Sequence, residues 1–415
     1  MAKRLAAIIF IFVCATIAWM ILGGTIMGRT YDMSSGLRDK VATNWGTQQT
    51  QHPPTATWSR QRKRLDDAED NQGRHYQKVV EYTDTGKLDV ASSRVSSGLH
   101  LEYRQKGLLW YSTYTVDFAG TYRFVNDTRE DQQIDFRLPF PVQQALYDDL
   151  VFKVNGQDVA TRSDANGVGG SVPLAAGQAA ELRVGYRSHG LDRWAYDFGP
   201  GDQVAQVRDF KLHMTTDFHD IDFPENTLSA TTKQETARGW DLDWDYSNLV
   251  TGYSIAMAMP EHLQPGPLAG QISFFAPVSL FFFFFLMFII TTLRGIEMHP
   301  MNYFFLAAAF FAFHLLMAYL VDHISIHLAF AISSVVSIFL VISYLRLVVG
   351  IRFAAVEAGL AQFVYLVLFS YAFFFKGFTG LAVTIGSILT LFVVMQMTGR
   401  VKWAEKFAKP HPAAA

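Results

Sequence analysis

Apolar residues run without interruption from Leu5 to Met27, and again over roughly 271–293, 301–321, 326–350, 355–375 and 378–398. At about 1.5 Å of rise per residue each run matches the roughly 30 Å hydrocarbon core of a bilayer. The pattern predicts a polytopic α-helical membrane protein with six transmembrane helices: an N-terminal anchor (1–27), a five-helix bundle (271–399) and a basic tail (400–415). The apolar stretch at the start is too long for a signal peptide and has no A-x-A-like cleavage site. Between anchor and bundle the period changes from continuous to alternating. "LHLEY", "IDFRL", "ELRVGY" and "FKLHM" each place every second residue on an apolar face, and "VNGQD" and "DANGVGG" supply turns. Period-2 alternation between Gly/Asn turns predicts half-buried antiparallel strands. Residues 96–270 therefore read as a mainly-β, sandwich-like domain inserted between the first and second helices. In "GLLWYSTYTVDFAGTYRF", Ala119-Gly120 is expected to reverse the chain. Residues 28–95, with "YDMSSGLRDKVATNW" and "SRQRKRLDDAED", are expected to form a partly helical stalk.

Charge sharpens the division. Residues 28–270 hold 25 Lys+Arg against 33 Asp+Glu, whereas the remainder holds 10 against 4. A net-acidic water-facing part lacks the basic surface that phosphate backbones need, so no nucleic-acid partner is expected. The basic residues then orient the bundle. Lys3, Arg4, Arg294, Arg346, Arg352, Arg400, Lys402, Lys406 and Lys409 fall on one side, and the two short loops opposite carry only Lys376. The positive-inside rule places both termini in the cytoplasm and the β domain outside. The single cysteine, Cys14, forbids an internal disulfide or a thiolate metal cluster.

Candidate chemistry is sparse. His213, Asp217, His219 and Asp222 in "FKLHMTTDFHDIDFP" are metal-ligand types, but along a strand His213, Asp217 and His219 alone spread over about 20 Å, and no metal is expected. "GWDLDWDYSN" sets Asp241, Asp243 and Asp245 opposite Leu242, Trp244 and Tyr246. Tyr246 stands where an EF-hand needs glycine, which rejects that motif. Such a carboxylate-and-aromatic surface could hold sugars, with Trp244 as a candidate ligand contact, and an ordinary amphipathic strand has the same pattern. "SRQRKRLDDAED" could meet anionic headgroups. There is no H-E-x-x-H, nucleophile elbow or glycine-rich phosphate loop, so no catalytic residue and no cofactor is expected. Within the apolar runs His314 alone lies deep, with Ser333 and Ser337 at i, i+4 on the next helix. These serve helix packing, or line a polar site if the bundle transports or handles lipid. Pro300 suits the first turn of a helix, with His299 before it, and Asp322 and His323 close that helix beside the folded domain.

"LRGIEMHPMNYFFL…FHLLMAYLVDHI" followed by "FAISSVVSIFLVISYLRLVVG" resembles the CreD family of bacterial inner-membrane proteins. The motif is His299-Pro300-Met301-x-Tyr303 with Asp322-His323 some 25 residues on, and "GYSIAMAMP" resembles the family's strand leading into the membrane. The resemblance implies the same plan of anchor, large periplasmic domain and C-terminal helices. It also implies a role in envelope integrity, with induction through the CreBC two-component system, colicin tolerance and a β-lactam response. No enzymatic activity is established for the family, and none is expected here. Membrane lipids and an envelope protein are the expected partners. A transporter with a site in the bundle, or a periplasmic ligand sensor, are the alternative readings.

Overall fold

The computed structural model describes residues 2–69, 75–106, 109–143, 145–199, 204–375 and 377–399. The chain divides into two compact units, one of Leu37–Lys106 and Trp110–His262, the other of Met1–Gly36, Gly107–Leu109 and Leu263–Ala415. The first helix, α1 (Ala2–Trp45), continues past the apolar anchor through "YDMSSGLRDKVATNW", the stretch expected to be helical. No proline interrupts Gly28 to Trp45, so nothing in the backbone ends it there.

The strands follow as β1 (Gln49–Gln51), β2 (Thr55–Glu69), β3 (His75–Leu88), β4 (Val90–Lys106), β5 (Leu109–Val125), β6 (Gln132–Pro139), β7 (Tyr147–Val154) and β8 (Gln157–Asp158). After them come β9 (Thr161–Asp164), β10 (Gly167–Leu174), β11 (Ala179–Leu191), β12 (Arg193–Tyr196), β13 (Ala205–Thr216), β14 (Thr232–Glu235), β15 (Trp240–Thr251) and β16 (Ile255–Ala258). They form an eight-stranded sheet in the order β14-β15-β13-β4-β5-β11-β7-β8, a five-stranded sheet β3-β2-β6-β10-β9 and a small sheet β1-β12-β16. Side chains of both large sheets enter one apolar core, with Val116, Phe124, Leu212 and Trp244 from the larger and Ala56, Ile134 and Phe136 from the smaller. Phe124 meets Phe136 edge-on at 5.4 Å. Burying such side chains stabilises a fold by about 1.5–3 kcal/mol each.

Two local expectations fail here. "SRQRKRLDDAED" is not helical: its described residues lie in β2, paired antiparallel along its length with β3. Charge segregation along the sequence hid a cross-strand pattern, in which Lys63 faces Glu81 at 3.0 Å and Arg62 faces Tyr82. Asp70 lies outside the described residues. Nor does Ala119-Gly120 turn the chain, since β5 runs unbroken through it. Gly120 points inward beneath the Tyr122 ring, where a Cβ would stand 2.6 Å from a ring carbon. The glycine makes room for an aromatic ring.

Five further helices follow: α2 (Pro265–Arg294), α3 (Pro300–Leu320), α4 (Ile326–Val348), α5 (Phe353–Phe374) and α6 (Thr379–Thr398). Together with α1 they are six helices long and apolar enough to cross a membrane. Pro265 and Pro300 open α2 and α3, and Gly295, left-handed at φ 68°, closes α2. Phe283, Leu306, Phe310, Phe313 and Leu345 are buried between helices, while Phe275, Phe304, Val335 and Phe339 stay exposed. Large apolar side chains on an outer surface suit lipid rather than water. Helix α5 is irregular, with π-helical stretches at Phe353–Ala358 and Phe363–Leu368.

Candidate functional site

The family-motif residues have separable tasks. His299 caps α3, its Nδ1 accepting from the Met301 N–H at 3.2 Å, and Pro300 follows where its missing N–H leaves nothing unpaired. Met301 is half exposed, whereas Tyr303 is fully buried and meets Phe284 edge-on at 5.3 Å. At the other end of α3, Asp322 receives Nη2 of Arg29 at 3.1 Å to each carboxylate oxygen. The charged partner of Asp322 comes from α1, a residue to which the sequence does not point. His323 is exposed in the turn after α3 and donates its backbone N–H to Leu320.

His314 is fully buried. Its Nδ1 lies 2.9 Å from the Phe310 carbonyl one turn earlier, which places the ring proton there and leaves Nε2 as an acceptor without a donor. The Trp19 ring of α1 stands edge-on to it at 5.6 Å, with its own indole N–H unpartnered. Sequence reasoning missed Trp19, since nothing within α1 signals which helix it faces. It also missed Gln362 on α5, which donates to Ser337 of α4 at 2.7 Å, and the pair Arg294–Glu357 at 2.5 Å.

The metal-type residues of the β unit are dispersed among separate partners. His213 lies 2.8 Å from Asp243, and His219 lies 3.2 Å from Glu235. Asp217 accepts from the Leu101 N–H at 2.9 Å and meets His100 at 3.3 Å. Asp222 lies in an isolated bridge to Ala258. Among the described residues no group of three or more His, Cys, Asp or Glu is placed to hold a metal ion. Trp244 is not a surface contact, because it is fully buried and donates its indole N–H to the Leu228 carbonyl at 2.9 Å. Alternation sent the tryptophan inward and Asp243 and Asp245 outward to His213 and Lys211.

A second polar cluster holds the end of α1 in the β unit. Arg38 donates to Asp192, and Arg104 lies over the Trp45 ring at 3.3 Å from its centre. Burial raises the Asp192 carboxyl above its usual value, against the lowering pull of Arg38. Gln49 donates to Ser188 and to the His189 carbonyl at 2.9 and 2.8 Å.

Residues 207–404 match the family described as inner membrane protein CreD. No curated protein matches the chain. Among solved structures, one similar chain is a protein of Legionella pneumophila provisionally assigned to nutrient binding, with 10% identity and a TM-score of 0.28 over 48% of this chain and 74% of that one. Another is an M1 zinc metallopeptidase from Deinococcus radiodurans, with 14% identity and a TM-score of 0.24 over 41% of this chain. The likeness spans 42% of the metallopeptidase, less than half its length.

Proposed function

We propose that this chain, of the CreD inner-membrane family over residues 207–404, maintains the bacterial envelope under stress without catalysing a reaction. The family match carries the reading, because it takes in the end of the β unit, the helices α2 to α6, and both polar ends of α3. The proposed orientation has both termini in the cytoplasm and the β unit in the periplasm, supported by the nine-to-one distribution of basic residues. The β unit, with two large sheets around one core, is read as a sandwich-like platform for an envelope protein, and the exposed aromatic residues of the helices contact membrane lipid.

The reading is tested by deleting the gene and restoring it in a bacterium that carries it. Loss should change β-lactam susceptibility and colicin tolerance, and the restored chain should reverse both. A deletion strain indistinguishable from its parent under both challenges would sink the proposal. Crosslinking in native membranes, with identification of bound proteins and lipids, names the partner.

A further inference from the structure

Ser337 stands midway along α4, eleven residues from Ile326 and eleven from Val348. Its hydroxyl donates to the Ala309 carbonyl of α3 at 2.6 Å and accepts from Nε2 of Gln362 at 2.7 Å. Three helices are thereby tied at one level, and Ser337 and Gln362 are both fully buried. The tie is incomplete: Oε1 of Gln362 is buried without a donor. Ser333, one turn before Ser337 on the same face of α4, is fully buried with its hydroxyl unpaired. Five residues before Gln362 on α5, Glu357 gives one oxygen to Arg294 and has the other buried and unpaired.

An unpaired amide oxygen is unfavourable in any protein interior and more so in a helix bundle surrounded by hydrocarbon. Natural structures resolve such atoms with an ordered ligand. Gln362 also lies between the two π-helical stretches of α5, and such widened turns gather at functional sites.

The unpaired atoms select the ligand. A cation at Gln362 and Ser337 would give up its hydration to neutral oxygens, with no carboxylate among their hydrogen-bond partners to offset the loss. Water has no such penalty, since it can donate to Gln362 Oε1 and accept from the Ser333 hydroxyl. Side chains at i and i+4 of a helix lie about 5–6 Å apart at Cβ, a spacing that one bridging molecule fits. We propose that the Ser333–Ser337–Gln362 seam is a hydrated site at mid-depth of the helix bundle, which binds water through the amide oxygen of Gln362. This holds whether or not the chain serves envelope stress.

The test uses thiol reactivity, because a cysteine reacts as thiolate and ionises poorly in dry apolar surroundings. The full chain carrying Cys14→Ser is given one cysteine at a time and treated in membranes with a small permeant methanethiosulfonate. Ser333 is the position of choice, since its side chain makes no hydrogen bond whose loss would confuse the result. Val341, fully buried one turn beyond Ser337, is the dry control. Ser333→Cys should react at least about tenfold faster than Val341→Cys, and adding Gln362→Leu should bring it down toward the control. Equal rates, slow or fast, would overturn the proposal, and so would a fast Ser333→Cys unmoved by Gln362→Leu. A single symmetric gel-filtration peak and a cooperative melt for each purified variant show that it is folded.

Discussion

Arg29 and Asp322 meet across 293 positions of sequence, one guanidinium nitrogen shared between both carboxylate oxygens at 3.1 Å. Both side chains keep partial exposure, so the pair contributes on the order of 0.5–1 kcal/mol rather than the larger value of a buried ion pair. Arg29→Ala and Asp322→Ala should each lower the melting temperature of the purified full chain, and the double variant should lose no more than either alone. Arg29→Asp combined with Asp322→Arg should recover most of the loss, whereas His323→Ala should behave as the parent. Additive losses in the double variant would show that the two residues act separately.

The proposed orientation predicts thiol labelling. In the Cys14→Ser background, exposed Thr232→Cys and Ser325→Cys should react with an impermeant reagent in intact spheroplasts. Glu297→Cys, exposed in the α2–α3 loop, should react only after the membrane is opened. Ser188 is buried and is unsuitable as a reporter.

Alkali should unfold the β unit through its tyrosines. Burial holds the phenols of Tyr114, Tyr122, Tyr186 and Tyr196 above their usual 10.0, and pushes Tyr147 up to about 12. A pKa raised in the folded state gives stability that is complete below the unfolded value and is lost as pH rises toward the folded one. Stability should therefore be flat up to about pH 10 and fall through pH 12. Tyrosinate absorbance from the buried rings should appear together with loss of the β-sheet circular dichroism. Full ionisation with the sheet intact would refute this.

Gly46 closes α1 at φ +110°, and a Cβ there would stand 2.3 Å from the His189 carbonyl oxygen. Gly46→Ala combines a strained backbone with a backbone clash, which together cost on the order of 2–4 kcal/mol. The β unit should melt well below the parent, while Gly156→Ala, at positive φ but with open space around it, should cost only about 1 kcal/mol. Similar losses at both positions would rule out the clash.

The membrane helices were legible because lipid imposes a length and a composition that a single run of residues displays by itself. The ends of α3 were legible for the same local reason, since Pro300 and its His299 cap act within one turn. Strand alternation placed Leu212 and Met214 in the core. What stayed hidden depended on partners far away in sequence. β2 is a strand because β3 lies beside it, Gly120 is not a turn because Tyr122 covers it, and Gln362 matters because Ser337 faces it. The same alternation sets Trp244 opposite the three aspartates without saying which of the two faces is inward.

The pairing of β13 with β4 has a consequence for how the chain is made. Phe210 lies beside Ser93, and β15 must then add outside β13. The eight-stranded sheet therefore cannot close until more than a hundred residues after β4 have been synthesised, by which time α1 is long complete. Through that interval β4 waits with one edge bare, and unpaired edges invite wrong partners. The vulnerable moment in this protein's life is its biogenesis. Defects that slow synthesis between β5 and β13 should reduce its yield even where every finished contact is preserved.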